Sequence, residues 1–102
     1  MQKLKLQDER MMKVLNGDKL QTIREGIRDI TLGDLILEST NGTVEDILCD
    51  VYGIVYTSLG NVDLKDTPDY QSKEDLFETM TKIYPSIKPE SKVTIIKFKV
   101  KD

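Results

Sequence analysis

Residues 44–57 restrict the fold more than any other stretch of the chain. They form the longest run of strand-like sequence, and its alternation changes phase part way. Ile47, Cys49 and Val51 share one parity, while Tyr52, Ile54 and Tyr56 share the other. Side chains along a strand alternate between two faces, so a change of parity means that the inward face has slipped by one residue. Gly53 lies at the change, and a glycine at a phase slip implies a β-bulge or sharp bend such as a barrel corner. A small antiparallel sheet that turns corners is expected to close on itself as a barrel.

The flanking sequence supplies the remaining elements. Lys3-Leu4-Lys5-Leu6 alternates as a half-buried strand. Asp8 offers an N-cap for a short helix over residues 9–16, with Met11, Met12, Leu15 and Val14 as its apolar residues and Asn16-Gly17 as its stop. Leu20–Glu25 reads as a strand with Leu20, Thr22 and Arg24 on one face and Gln21 and Ile23 on the other; Glu25-Gly26 ends it. A turn at Thr31-Leu32-Gly33-Asp34 leads into a strand at Leu35–Glu38, and Thr40-Asn41-Gly42-Thr43 carries the Asn-Gly signal of a hairpin. Leu59–Asp69, rich in Gly, Asn, Asp and Pro, reads as loop with one short helical turn.

Ser72 N-caps a second helix, with Asp75 placed to complete a capping box. Its apolar stripe is Leu76, Phe77, Met80, Ile83 and Tyr84, and Pro85 stops it. Val93–Val100 is a closing strand. The expected architecture is α+β: a small barrel of five or six mostly antiparallel strands with two or three flanking helices, in a single domain over residues 1–102.

Composition removes several classes of chemistry. The chain has no histidine, which excludes a histidine-based triad and a zinc site built from His and Cys. Cys49 is the only cysteine, so no intrachain disulfide can form, and in its apolar run it reads as a buried structural thiol. Neither a metal nor another cofactor is expected, and any catalyst must use Lys, Thr, Ser, Tyr or carboxylates. A net charge of −3 argues against non-specific binding of long nucleic acid, which depends on releasing many counterions. No apolar run approaches the roughly 18 residues of a membrane span, and no secretory signal is visible at Met1-Gln2-Lys3-Leu4. A cytoplasmic protein without a membrane partner is the expectation.

Within those limits the best place for chemistry is Gly17-Asp18-Lys19-Leu20-Gln21-Thr22-Ile23-Arg24. The pattern G-x-K-x-x-T-x-R puts a glycine turn, an ammonium, a hydroxyl and a guanidinium within eight residues. It reads either as the floor of a pocket for a polar ligand or as plain surface. A desolvated lysine can lose enough basicity to take a proton from a threonine or a water, and an arginine can steady a developing oxyanion.

Taken with Leu32-Gly33-Asp34-Leu35, Ile83-Tyr84-Pro85 and the closing Val93–Val100 strand, this motif resembles the ASCH domain, a branch of the PUA-like superfamily. The resemblance spans nearly the whole chain. It implies a small β-barrel with flanking helices, in agreement with the periodicity. Small stand-alone bacterial members of that family hydrolyse N4-acetylcytidine to cytidine and acetate through a Lys, a Thr and a Glu. Lys19 and Thr22 match the first two. Counting back from Ile83-Tyr84-Pro85 puts Asp69 where the family has Glu; Glu74 keeps the residue type but lies in the first turn of the second helix.

The roles so implied are Lys19 as base, Thr22 as nucleophile or water-positioning group, and Asp69, or alternatively Glu74, as acid toward the leaving N4. Gly17, Arg24, Tyr70 and Tyr84 would contact substrate, the tyrosines by stacking on the base. Two other functions remain open: a non-catalytic PUA-like module for a nucleotide or RNA, and a small protein-interaction factor using the barrel as scaffold.

Overall fold

A computed structural model describes residues 1–17 and 19–101 of the chain. The elements follow the order β1 (Gln2–Leu6), α1 (Asp8–Leu15), β2 (Gln21–Glu25), β3 (Gly33–Ser39), β4 (Ile47–Ser58), α2 (Lys73–Ile83) and β5 (Lys92–Val100). Two 3-10 turns, Leu59–Asn61 and Leu64–Asp66, lie between β4 and α2. The five strands form one sheet in the order β1-β3-β4-β5-β2. β1 runs parallel to β3, with Gln2 opposite Leu35 and Leu6 opposite Ser39. β3 and β4 are antiparallel, Gly33 opposite Val51 and Leu37 opposite Ile47. Bonds from Phe98 N–H to the Leu20 carbonyl and from Gly26 N–H to the Lys92 carbonyl bracket β2 against an antiparallel β5.

β4 continues unbroken through Gly53, and the slip that the glycine implied is present. Ile47, Cys49 and Val51 are buried in one apolar cluster, and the next residue of β4 to pack on it is Ile54, three positions after Val51. Tyr52 and Tyr56 are 56% and 50% exposed, so their apolar rings do not mark an inner face. Gly53 allows the stem of Lys97 to lie against its backbone; a Cβ there would sit 3.3 Å from Lys97 Cδ.

The chain forms two compact units. The first comprises Met1–Leu20, Ile30–Ile54 and Ile96–Asp102. Its core joins Leu6, Met11, Val14, Leu35, Leu37, Ile47, Cys49, Val51, Ile96 and Phe98. The second comprises Gln21–Asp29 and Val55–Ile95. Its core joins Ile23, Leu59, Val62, Leu76, Met80, Ile87, Val93 and Ile95. Burial of such side chains is the main favourable term in folding, about 1.5–3 kcal/mol for each large aliphatic or aromatic one.

Local expectations hold at several points and are corrected at others. Ser72 caps α2, its hydroxyl accepting from Asp75 N–H at 3.1 Å, and Asp75 Oδ2 accepts from Gln71 N–H at 3.2 Å. Leu76 and Met80, four residues apart, carry the buried side of α2, whereas Ile83 at its end is exposed. In α1 the inward pair is Met11 and Val14, three apart; Met12 and Leu15 are 48% and 53% exposed. Asp8 does not cap α1. Gln7 holds that position without a side-chain bond, and Asp8 is the first helical residue. The Asp8 carboxylate instead accepts from the hydroxyls of Ser39 and Thr43.

Those two bonds explain the connection after β3. A tight two-residue hairpin at Asn41-Gly42 would free Thr43 and start the next strand at once. The chain spends residues 40–46 on a longer loop tied back to α1, and β4 begins at Ile47. Burial accounts for Cys49 as well: it has no exposed surface, and desolvation pushes its thiol up to about 11.

Candidate functional site

Gly17 follows the C-cap of α1 with φ +79°, and its N–H donates to the Val14 carbonyl at 3.0 Å. That left-handed turn, open to glycine without strain, reverses the chain so that residue 19 returns toward the helix. Lys19 N–H donates to the Lys13 carbonyl at 3.2 Å. Lys19 precedes β2, and the residue is only 5% exposed. Lysines are almost never withdrawn from water to this degree unless paired. The ordinary fate of a turn lysine, a solvated ammonium, does not describe it.

β2 begins two residues later and is covered on both faces. Gln21, Thr22 and Ile23 are 6%, 2% and 7% exposed, and Arg24 is half-buried. Alternation alone therefore does not sort this strand into an inner and an outer face. Leu20, placed by parity with Thr22 and Arg24, lies outside the strand and is 41% exposed. Past Gly26, which has φ +85°, the chain is fixed by Thr94: its hydroxyl donates to the Gly26 carbonyl at 2.8 Å and accepts from Arg28 N–H at 2.9 Å.

The candidate acids lie in the same unit as β2. Tyr70 N–H donates to the Thr67 carbonyl at 3.1 Å, closing a four-residue turn through Pro68 and Asp69. No described residue other than glycine has positive φ, so this is a type I turn with proline at its favoured second position. The turn presents Asp69 at the surface, and Glu74 is exposed in the first turn of α2. Burial does not separate the two. Tyr70 and Tyr84 are half-buried and pack on the core cluster that contains Ile23, the neighbour of Thr22; Tyr84 also forms the C-cap of α2. Thr22, Arg24, Asp69, Tyr70, Glu74 and Tyr84 thus belong to one compact unit, and Gly17 and Lys19 to the other.

Two polar residues in this unit carried no functional mark in the sequence. Gln21 Nε2 and Thr67 Oγ1 are buried with no hydrogen-bond partner among the described residues, and Thr67 has no exposed surface. Buried polar groups are nearly always bonded, so these two atoms are open positions for a hydrogen bond. Gln21 adjoins Thr22, and Thr67 opens the turn that carries Asp69. Nothing in their sequence context sets them apart from an ordinary strand residue and an ordinary turn residue. Among the described residues, no group of three or more His, Cys, Asp or Glu side chains is arranged to hold a metal ion, and no helix is long and apolar enough to cross a membrane.

No protein-family model and no curated protein matches the chain. Solved structures do. The hypothetical protein PH0355 superimposes with a TM-score of 0.71 at 19% identity, covering 97% of each chain. An ASCH domain from Lactobacillus crispatus JV V101 gives 0.68 at 11% identity, over 97% of this chain and 79% of the other. Protein EF3133 from Enterococcus faecalis V583 gives 0.59 at 14% identity, over 87% and 67%. At these identities the likeness is one of fold. The strand order, the two helices and the match across nearly the whole length lead to one assignment: the chain has the ASCH fold, an α+β fold of the small PUA-like barrel kind.

Proposed function

We propose that the chain is an amidohydrolase that removes an N4-acyl group from cytidine or a closely related modified nucleoside. The observation that carries this reading is the burial of Lys19 and Thr22, at 5% and 2% exposure, within G-x-K-x-x-T-x-R. A lysine and a threonine that were plain surface would be solvated. A lysine amine held out of bulk water beside a hydroxyl is the pairing by which a base can activate an oxygen nucleophile.

In this mechanism the Lys19 amine takes the proton from the attacking oxygen, either the Thr22 hydroxyl or a water that Thr22 positions. The new C–O bond forms at the acyl carbonyl, and Arg24 stabilises the oxyanion. Asp69, or Glu74 in its place, gives a proton to N4 as the C–N bond breaks. Cytidine leaves; where water attacked, the carboxylate (acetate from an acetyl group) is freed at once, and where Thr22 attacked, a water then hydrolyses the Thr22 ester to free it and restore the hydroxyl. Tyr70 and Tyr84 hold the base by stacking, and Gly17 keeps the turn that brings Lys19 back from the helix. Neither metal nor other cofactor takes part.

The exposure of Asp69 favours a second reading, in which the same residues bind a nucleotide or RNA without chemistry. A carboxyl at the surface of a turn is not enclosed beside a leaving group, as a general acid must be. Incubation with N4-acetylcytidine, followed by chromatography for cytidine, separates the two. Product that disappears in Lys19→Ala and Thr22→Ala supports the hydrolase. Absence of product, with nucleosides or short RNAs still binding, supports the module; a steep salt dependence would then assign the affinity to phosphate contacts. Failure of both leaves the barrel as a protein-interaction scaffold.

A further inference from the structure

The chain contains two Asn-Gly pairs, Asn16-Gly17 and Asn41-Gly42, and the fold holds them very differently. In such a pair the glycine nitrogen can attack the side-chain amide carbon of the asparagine, because no Cβ on the glycine obstructs the approach. A C–N bond forms, ammonia leaves, and a five-membered succinimide results. Water then opens the ring at either carbonyl, giving aspartate or isoaspartate. The reaction consumes one water, releases one ammonia and needs no other reactant.

Asn16 is the C-cap of α1, with helical φ −79° and ψ −4°. Its N–H donates to the Met12 carbonyl and the Gly17 N–H to the Val14 carbonyl, each at 3.0 Å. Bringing the Gly17 nitrogen to the side-chain carbon requires rotation about ψ of Asn16, which unwinds the last turn of the helix. Asn41 and Gly42 are exposed in the loop between β3 and β4. Gly42 N–H reaches the Ser39 carbonyl at 3.3 Å, longer than a well-formed bond. The bonds from Ser39 and Thr43 to Asp8 hold the loop on either side of the pair without engaging Asn41 itself.

We propose that Asn41 is a site of spontaneous deamidation and that the end of α1 protects Asn16 from the same reaction. The consequence is local and electrostatic. Asn41 lines an open cleft of about 400 Å³ with Gln7, Asp8, Glu9 and Thr40. Its conversion adds a third carboxylate to Asp8 and Glu9 at the start of α1 and makes the chain one charge more negative than −3. The inference is independent of the proposed hydrolase activity.

Ageing the purified chain at mildly alkaline pH, with peptide mapping by mass spectrometry and enzymatic labelling of isoaspartate, tests it. Tryptic cuts after Lys13 and Lys19 isolate Asn16 from Asn41. The expected result is a gain of one mass unit at Asn41 about tenfold faster than at Asn16, the factor that two lost backbone hydrogen bonds supply. In urea the two sites should convert at comparable rates, and Asn41→Gln should abolish the acidic band on isoelectric focusing. Conversion at Asn16 as fast as at Asn41 in the folded chain would overturn the proposal. So would an unchanged Asn41, or an Asn16 that stays slow when unfolded.

Discussion

Thr94 has no exposed surface, and its hydroxyl serves two backbone groups, donating to the Gly26 carbonyl and accepting from Arg28 N–H. Thr94→Val keeps the shape but strands both partners, and should cost about 1–3 kcal/mol of unfolding free energy, read as a lower urea midpoint. Cys49 illustrates burial acting on a titratable group. Its thiol is raised from 9.0 to about 11 by desolvation. Because the folded value lies above the unfolded one, the associated stability is complete below about pH 9 and is lost as pH rises toward about 11. Native Cys49 should resist a thiol-reactive disulfide near neutral pH and become fully reactive in denaturant; rapid labelling of the folded chain would contradict its burial. Its apolar neighbours made that burial legible in the sequence. The burial of Lys19 was not legible, because strand parity does not extend to a residue in a turn, and its environment is set by how the chain returns after Gly17.

At the scale of elements, the difference between α1 and α2 separates what local pattern specifies from what packing decides. In α2 the Ser72 cap and the Leu76 and Met80 spacing point to one face, and the helix packs by it. In α1, Met11, Met12, Val14 and Leu15 crowd eight residues, and two overlapping apolar stripes are available. Packing chose Met11 and Val14. Met11→Ala should therefore cost about 2–5 kcal/mol, whereas Met12→Ala should stay within about 0.5 kcal/mol, as surface changes do. Urea denaturation of the two variants checks the assignment, and equal losses would refute it. The parallel pairing of β1 with β3 left no local trace either, since its partners lie 33 residues apart in register, Gln2 opposite Leu35. The hairpin that Asn-Gly signals does join β3 to β4, but with a longer loop than a two-residue turn, because Ser39 and Thr43 bond to Asp8, far away in sequence.

For the molecule as a whole, fold and function rest on different supports. The ASCH fold follows from the strand order and from superposition on solved structures, and the phase slip read at Gly53 is present in β4. β4 and β5 each supply residues to both core clusters, so their mixed parity reflects two destinations for one strand. The proposed function rests on a short motif whose lysine and threonine are withdrawn from water, with Asp69 or Glu74 as the acid. The most direct test is kcat/KM for N4-acetylcytidine hydrolysis in the wild-type chain and in Lys19→Ala and Thr22→Ala, each accompanied by a thermal melt. The account predicts measurable turnover that falls about 10²–10⁴-fold in both variants while a cooperative melt is retained. Wild-type inactivity, or variants that hydrolyse as fast as wild type, would contradict it.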